Sequence, residues 1–300
     1  MNGYRGRFAP TPSGPLHFGS MVAATGSYLD AKSGGGRWLL RIDDLDPPRV
    51  MPGAADAILR CLENFGMQWD EEVVYQSTRG EAYRDTLEHL RGRKLVYPCG
   101  CSRKGVEEAA MAVGIDGPVY PGTCRNGMPA GHTMRSLRVR TDDIAVEFED
   151  QLQGRVRQQL TAEIGDFVLR RADGAFSYHL ACAVDDADAG ITHVVRGADL
   201  IASTPRQIYL QRLLGLPTPE YLHLPVAVNA NSEKLSKQTL AQAVDSGRPA
   251  ATLGRILQFL GHAPPSEVAG EDVEALWSWG IENWRRGLLP RKTVALSVEF

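Results

Sequence analysis

Three short stretches carry side chains whose types and spacing could do chemistry. In FAPTPSGPLHFGS, residues 8–20, Pro10, Pro12 and Pro15 stiffen a corner while Gly14 gives it backbone freedom. His17, Gly19 and Ser20 stand where a helix begins, and backbone N–H groups at such a start, with a histidine beside them, form a seat for phosphate. In KLSKQ, residues 234–238, Lys234 and Lys237 flank a serine in a loop-like run. Such lysines could steady a developing anionic charge. In the third stretch, Cys99-Gly100-Cys101 is followed by Cys124 among glycines and prolines. Thiolates at such spacing bind zinc, which prefers four ligands in a tetrahedron, and three cysteines leave a fourth place to fill.

The elements that must position these stretches alternate along the chain. Tyr4 to Ala9 reads as a strand, Gly19 to Ala31 as a helix and RWLLRI (37–42) as an apolar strand. Gly53 to Phe65 is helical, with Ile58, Leu62 and Phe65 at helix spacing; VVYQS (73–77) reads as a third strand and Gly80 to Leu90 as an amphipathic helix. This rhythm predicts an α/β fold with a Rossmann-type parallel sheet. From Pro98 to about Thr161 it gives way to glycine-rich loops and the alternating stretches SLRVR (136–140) and AVEFED (145–150), the pattern of an inserted, partly β subdomain. DFVLRR (166–171), FSYHLACAVDD (176–186), HVVRG (193–197) and a helix from about Thr204 to Leu214 resume the rhythm. The expected organisation is therefore a catalytic first half over 1–97, an inserted zinc-binding and acceptor subdomain over 98–162, a second half carrying KLSKQ over 163–240, and a helical region over 241–300.

Bulk properties set bounds. The chain has 300 residues, 43% hydrophobic and 23% charged, and a net charge of −3, the profile of an ordinary globular protein. The total charge does not advertise nucleic acid, although a basic face can sit on an acidic body. Five cysteines, an odd number without a secretion signal, argue for free or metal-bound thiols, with Cys61 and Cys182 expected in the core. No apolar run approaches the ~20 residues of a membrane helix, so no membrane partner and a cytoplasmic location are expected.

Paired in one α/β chain, the first two stretches resemble the HIGH and KMSKS signatures of class I aminoacyl-tRNA synthetases, here His17-Phe18-Gly19-Ser20 and Lys234-Leu235-Ser236-Lys237-Gln238. RIDDLDPPR (41–49), VDD (184–186), VRGADL (195–200) and HLPVAVN (223–229) extend the likeness to the glutamyl branch over roughly residues 5 to 240, nearest to the short glutamyl-Q tRNA(Asp) synthetase family. The resemblance implies an enzyme that uses ATP to form glutamyl-adenylate from L-glutamate and transfers glutamate to queuosine in the anticodon of tRNA(Asp). It implies His17, Lys234 and Lys237 as catalytic groups, His17, Gly19, Ser20 and Lys237 at the ATP phosphates, and Mg²⁺ accompanying the nucleotide. It lines the glutamate pocket with Arg7, Phe8, Ala9, Pro10, Thr11, Asp43, Tyr178 and Arg196. The chemistry fits, since the arginines can fork carboxylates and Asp43 can take the ammonium. Asp43 itself departs from the family, which carries a glutamate there, and is shorter by one methylene. The family pattern fills the fourth zinc position with Tyr120, and His132 is its rival. Four protein ligands would make that zinc structural.

Other functions share some of these features. A pantothenate-synthetase-like ligase has HIGH- and KMSKS-like elements, but Arg7, Tyr178, Arg196 and the cysteine insertion speak against it. A non-catalytic tRNA-binding or glutamate-sensing module would have little reason to keep His17, Lys234 and Lys237 together. A truncated glutamyl-tRNA synthetase charging a 3′ end is the remaining alternative. About sixty residues after KLSKQ are few for a domain that reads an anticodon at a distance, so the anticodon itself is expected to enter the site. Arginines within 135–140 and 284–292 are candidates for phosphate contacts.

Overall fold

The computed structural model describes residues 3–228, 243–269, 272–291 and 296–297; Lys234 and Lys237 lie outside them. The chain runs β1 (Arg5–Phe8), α1 (Phe18–Ser33), β2 (Arg37–Ile42), α2 (Ala54–Asn64), β3 (Val74–Tyr75), α3 (Gly80–Gly92), β4 (Val96–Cys99), α4 (Arg103–Ala109), β5 (Val113–Gly114), β6 (Gly117–Pro118), β7 (Ser136–Val139), β8 (Val146–Asp150) and β9 (Gly154–Gln158). It continues through α5 (Leu160–Glu163), β10 (Val168–Arg170), α6 (Tyr178–Asp188), β11 (His193–Gly197), α7 (Thr204–Leu214), β12 (Glu220–Leu224), β13 (Ala227–Val228), α8 (Pro249–Phe259), α9 (Ser266–Ala269), α10 (Val273–Asn283) and β14 (Leu296–Ser297).

β1, β2 and β3 pair in parallel. On the other side of β1, the Thr192 N–H donates to the Arg5 carbonyl at 3.0 Å and brings in β11, which pairs in parallel with β12. The chain therefore leaves β1 in one direction along the sheet and returns to its other flank. In an open parallel sheet, that reversal opens a crevice beyond the carboxyl ends of the strands.

Both faces of this sheet are covered, as a near-continuous apolar strand such as β2 requires. Trp38, Leu40 and Ile42 join Phe8, Met21, Leu29 and Val195 beneath α1, α2, α8 and α10. Leu39 and Val194 face the opposite way, with Leu180, Val184 and Ile208 of α6 and α7. Strand alternation thus sends Arg7, Arg41 and Arg196 to the α6 side.

Segment 98–162 does not keep to itself. β7 lies between β4 and β10 in an antiparallel sheet, and the β8–β9 hairpin joins the main sheet through Tyr221 of β12 and Asp150 of β8. Pairing at such sequence distance leaves no mark on local alternation. VVYQS is also strand only at Val74 and Tyr75, because Gln76 turns inward to donate to Asp185 at 2.8 Å. In the last segment Arg286 forks the buried Asp30 at 2.8 Å with both nitrogens, which Trp284 Nε1 also reaches at 3.0 Å. That arginine ties the C-terminal helices to α1, so its charge is already answered within the protein.

Candidate active site and metal centre

The corner after β1 is held at several points. Gly14 takes φ +135°, a conformation other residues avoid, between the restrained prolines. The Asp43 N–H donates to the Pro10 carbonyl and the Met51 N–H to the Pro12 carbonyl, both at 2.9 Å, so the corner and the end of β2 move as one. His17 caps α1, its Nδ1 accepting from the Ser20 N–H at 3.3 Å while Ser20 Oγ sits 2.9 Å from Nε2. The N-terminal end of a 16-residue helix thus stands at this corner, where its dipole favours an anion.

Beside that corner lies a buried ladder of charge. Arg7 Nε and Nη2 fork Asp186 at 3.1 and 3.2 Å, and Arg41 Nη1 reaches the same carboxylate at 2.6 Å. Arg41 Nε holds Asp43 at 2.6 Å, and Cys182 Sγ lies 3.4 Å from Arg41 Nη2. Cys182 is buried, as expected of a core residue, and its sulfur faces this charged wall. Burial pushes the Asp186 carboxyl up, but Arg7 and Arg41 outweigh it and bring its pKa down to about 2. For Asp43 burial prevails over Arg41, and its pKa rises. α6 supplies this wall because Tyr178, Cys182 and Asp186 recur every fourth residue on one helix face. The preceding residue, Asp185, turns elsewhere and accepts from Tyr83 at 2.7 Å and from Arg79 Nε at 2.9 Å, anchoring α3.

Arg196, near the end of β11, completes the group. Its Nη2 donates to Thr204 Oγ1 at 2.7 Å and Gln207 Oε1 at 2.9 Å, its Nε to His223 at 3.1 Å, and its Nη1 to the Tyr178 hydroxyl at 3.4 Å. Three guanidinium groups and a phenol around one crevice can take an anionic amino acid, with Asp43 set to meet an ammonium.

The thiols of Cys99, Cys101 and Cys124 form the one such cluster among the described residues, with ligand atoms within 4.8 Å of one another. Tyr120 Oη sits 3.4 Å from Cys99 Sγ and 3.8 Å from Cys101 Sγ, and His132 is not in the cluster. Gly165, at φ +74°, backs Tyr120 so closely that a Cβ would fall 2.5 Å from the Tyr120 carbonyl. Zinc–sulfur bonds of about 2.3 Å in a tetrahedron require sulfurs about 3.8 Å apart. The Cys101–Cys124 separation is 3.6 Å, so the donor set fits that ion. Burial raises the Cys99 thiol, but the Tyr120 hydroxyl, a backbone N–H and Arg138 outweigh it and lower its pKa to about 7. Burial beside Cys124 pushes Cys101 up to about 11. Arg138 donates to Cys99 Sγ at 3.3 Å and stacks over the Tyr120 ring, so its guanidinium lies against this cluster.

Residues 4–259 match the family described as tRNA synthetases class I (E and Q), catalytic domain. The chain belongs to the class I (E and Q) tRNA synthetases. It is 56% identical over 294 residues to the Glutamyl-Q tRNA(Asp) synthetase of Dechloromonas aromatica, covering 98% of each chain. Over 287 residues it is 54% identical to the protein of the same name from Chromobacterium violaceum, covering 96% of this chain and 95% of the relative. Among solved structures, a glutamate-tRNA synthetase from Elizabethkingia anophelis superposes with a TM-score of 0.78 at 23% identity, over 99% of this chain and 68% of that one. At that identity the superposition speaks for the fold alone.

In this class I synthetase chain the structure gathers Arg7, Asp43, Tyr178 and Arg196 in one crevice and sets Phe8, Ala9, Pro10 and Thr11 along the strand end and corner that lead to His17, Gly19 and Ser20. Arg41, Asp186, Thr204, Gln207 and His223 belong to the same group, and sequence reasoning gave none of them a part. A signal was present for Arg41. Counting β2 by twos from Leu39 puts residue 41 on the α6 face, where Arg7 also stands, and two like charges side by side demand a carboxylate.

Proposed function

We propose that this protein activates L-glutamate with ATP and transfers it to queuosine in the anticodon of tRNA(Asp). The observation that carries this reading is the ring of Arg7, Tyr178 and Arg196 with Asp43 in a chain whose near-full-length relatives are named for that activity.

In the first step a glutamate carboxylate oxygen attacks the α-phosphorus of ATP, a phosphorus–oxygen bond forms, and pyrophosphate leaves. Arg7, Tyr178 and Arg196 orient the carboxylates and Asp43 the ammonium, so the attack begins from a fixed geometry. His17, Gly19 and Ser20 at the start of α1 hold the phosphates, and Lys234 and Lys237 act on the charge that grows there; Mg²⁺ bound to the nucleotide would supply further counter-charge. In the second step a nucleophile of the queuosine base attacks the acyl carbon of the adenylate, and AMP departs. Cys99, Cys101, Cys124 and Tyr120 are the residues that would hold zinc. Bound there, the ion would act as a cross-link for a subdomain with little apolar content of its own.

The test incubates the protein with ATP, labelled glutamate and tRNA(Asp), with or without queuosine. The reading expects label only where queuosine is present, and expects it to survive removal of the 3′-terminal nucleotide. Label on tRNA(Glu), or on tRNA(Asp) lacking queuosine, would overturn it in favour of a synthetase that charges a 3′ end.

A further inference from the structure

Behind Arg196 stands a buried pair that has no part in the steps above. His223 is 0% exposed and Asp150 2%, and they meet through Nδ1 and Oδ2 at 2.6 Å. Asp150 comes from the β8–β9 hairpin, far in sequence from the crevice, and its other oxygen accepts the N–H groups of Leu152 at 3.0 Å and Gln153 at 2.8 Å. The carboxylate is thereby fixed in place.

The identity of the proton on His223 follows from its partners. A guanidinium can only donate, so the contact of Arg196 Nε with His223 Nε2 at 3.1 Å calls for a lone pair on Nε2. Thr204 Oγ1, also 3.1 Å from Nε2, already accepts from Arg196 Nη2 and has its own hydroxyl hydrogen to give to that lone pair. The imidazole proton must then sit on Nδ1 and point at Asp150. We propose that Asp150 and His223 are positioning residues for glutamate binding: the carboxylate sets the imidazole tautomer, and the imidazole sets the plane of Arg196. With Thr204 and Gln207 on its Nη2, the guanidinium is held along two edges and presents Nη1, beside Tyr178, to the substrate. Burial, with the Arg196 cation adding to it, lowers the His223 pKa to about 4, so the neutral form the geometry needs persists at neutral pH.

This inference rests on the glutamate reading of the crevice, and two measurements separate their failures. The first uses the wild-type protein with nitrogen-15-labelled histidine and reads the tautomer by long-range NMR correlation; a proton on Nε2 overturns the relay outright. The second compares His223→Leu with His223→Gln in glutamate-dependent ATP–pyrophosphate exchange. Leucine leaves the Arg196 Nε and the Asp150 carboxylate without their partner, and the expected result is a KM for glutamate raised about tenfold or more, with kcat and the KM for ATP nearly unchanged. Glutamine can accept from Arg196 and donate to Asp150, and it should recover most of that loss. Wild-type protein without glutamate-dependent exchange refutes the reading of the crevice. Wild-type exchange with an unshifted glutamate KM in His223→Leu, or with glutamine no better than leucine, refutes the relay alone.

Discussion

The metal centre takes its donors from residues 99–124, a single stretch of chain, whereas the crevice takes Arg7, Arg41, Tyr178, Asp186 and Arg196 from β1, β2, α6 and β11. Each buried cation in the crevice already has a protein carboxylate or neutral acceptor, so the arrangement stands before any ligand arrives. In the candidate metal centre the sulfurs face one another, Cys99 lowered and Cys101 raised in pKa, with the Tyr120 hydroxyl the neutral group that touches two of them. One region is organised by ion pairs within the fold, and the other gathers donors that a metal ion could join. The two should therefore respond oppositely to the same perturbations.

The largest effect is expected at the shared carboxylate. Asp186→Asn removes the one anion between Arg7 and Arg41, and stripping one partner from a buried ion pair costs about 3–5 kcal/mol. Denaturant unfolding should show that loss with zinc content unchanged; a fully stable variant would mean the ladder is not what organises the crevice.

Arg196→Ala comes next. It leaves a substrate carboxylate unpaired, and the expected weakening of glutamate is about 2–5 kcal/mol, with ATP little affected. Equal losses for the two substrates would make Arg196 structural.

Acid should separate the regions further. Asp186 has a folded pKa near 2, below its ordinary value, so its stabilising contribution is complete above about pH 4 and is lost as pH falls towards 2. The depression corresponds to about 2 kcal/mol. Thiolates must take up protons to release zinc, so an acid titration should strip the metal before the ladder fails. Metal retained until the protein unfolds would contradict this.

The smallest effect on catalysis is expected from the metal itself. Cys99→Ser, or chelation, should remove about one zinc per chain by elemental analysis while glutamate-dependent exchange stays within about threefold, under about 1 kcal/mol. A collapse of exchange on zinc loss would couple the regions that the fold keeps apart.

The two regions also differed in how far the sequence disclosed them. Cysteine spacing is a local signal, the family pattern added Tyr120 with His132 as its rival, and Tyr120 lies among the sulfurs. For the crevice, the α/β rhythm pointed to a parallel sheet, and the resemblance to the glutamyl branch supplied Arg7, Tyr178 and Arg196, which the structure brings near one another. They could not show that Asp43 is already gripped by Arg41, or that Asp150 reaches the crevice through a hairpin read as part of an insertion. Those facts depend on which strands become neighbours, and that is set by packing over the whole chain. Lys234 and Lys237 fall outside the described residues, so their roles still rest on the motif.

The most direct test of the account is ATP–pyrophosphate exchange with L-glutamate, L-glutamine and L-aspartate in turn, each with and without tRNA(Asp). A crevice lined by Arg7, Arg196 and Tyr178, with Asp43 opposite, should support exchange with glutamate. It should leave glutamine near background, since a neutral amide cannot replace a carboxylate against a guanidinium, and aspartate, one methylene shorter, well below glutamate. Exchange equally good with glutamine, or absent with glutamate under both conditions, would contradict the account.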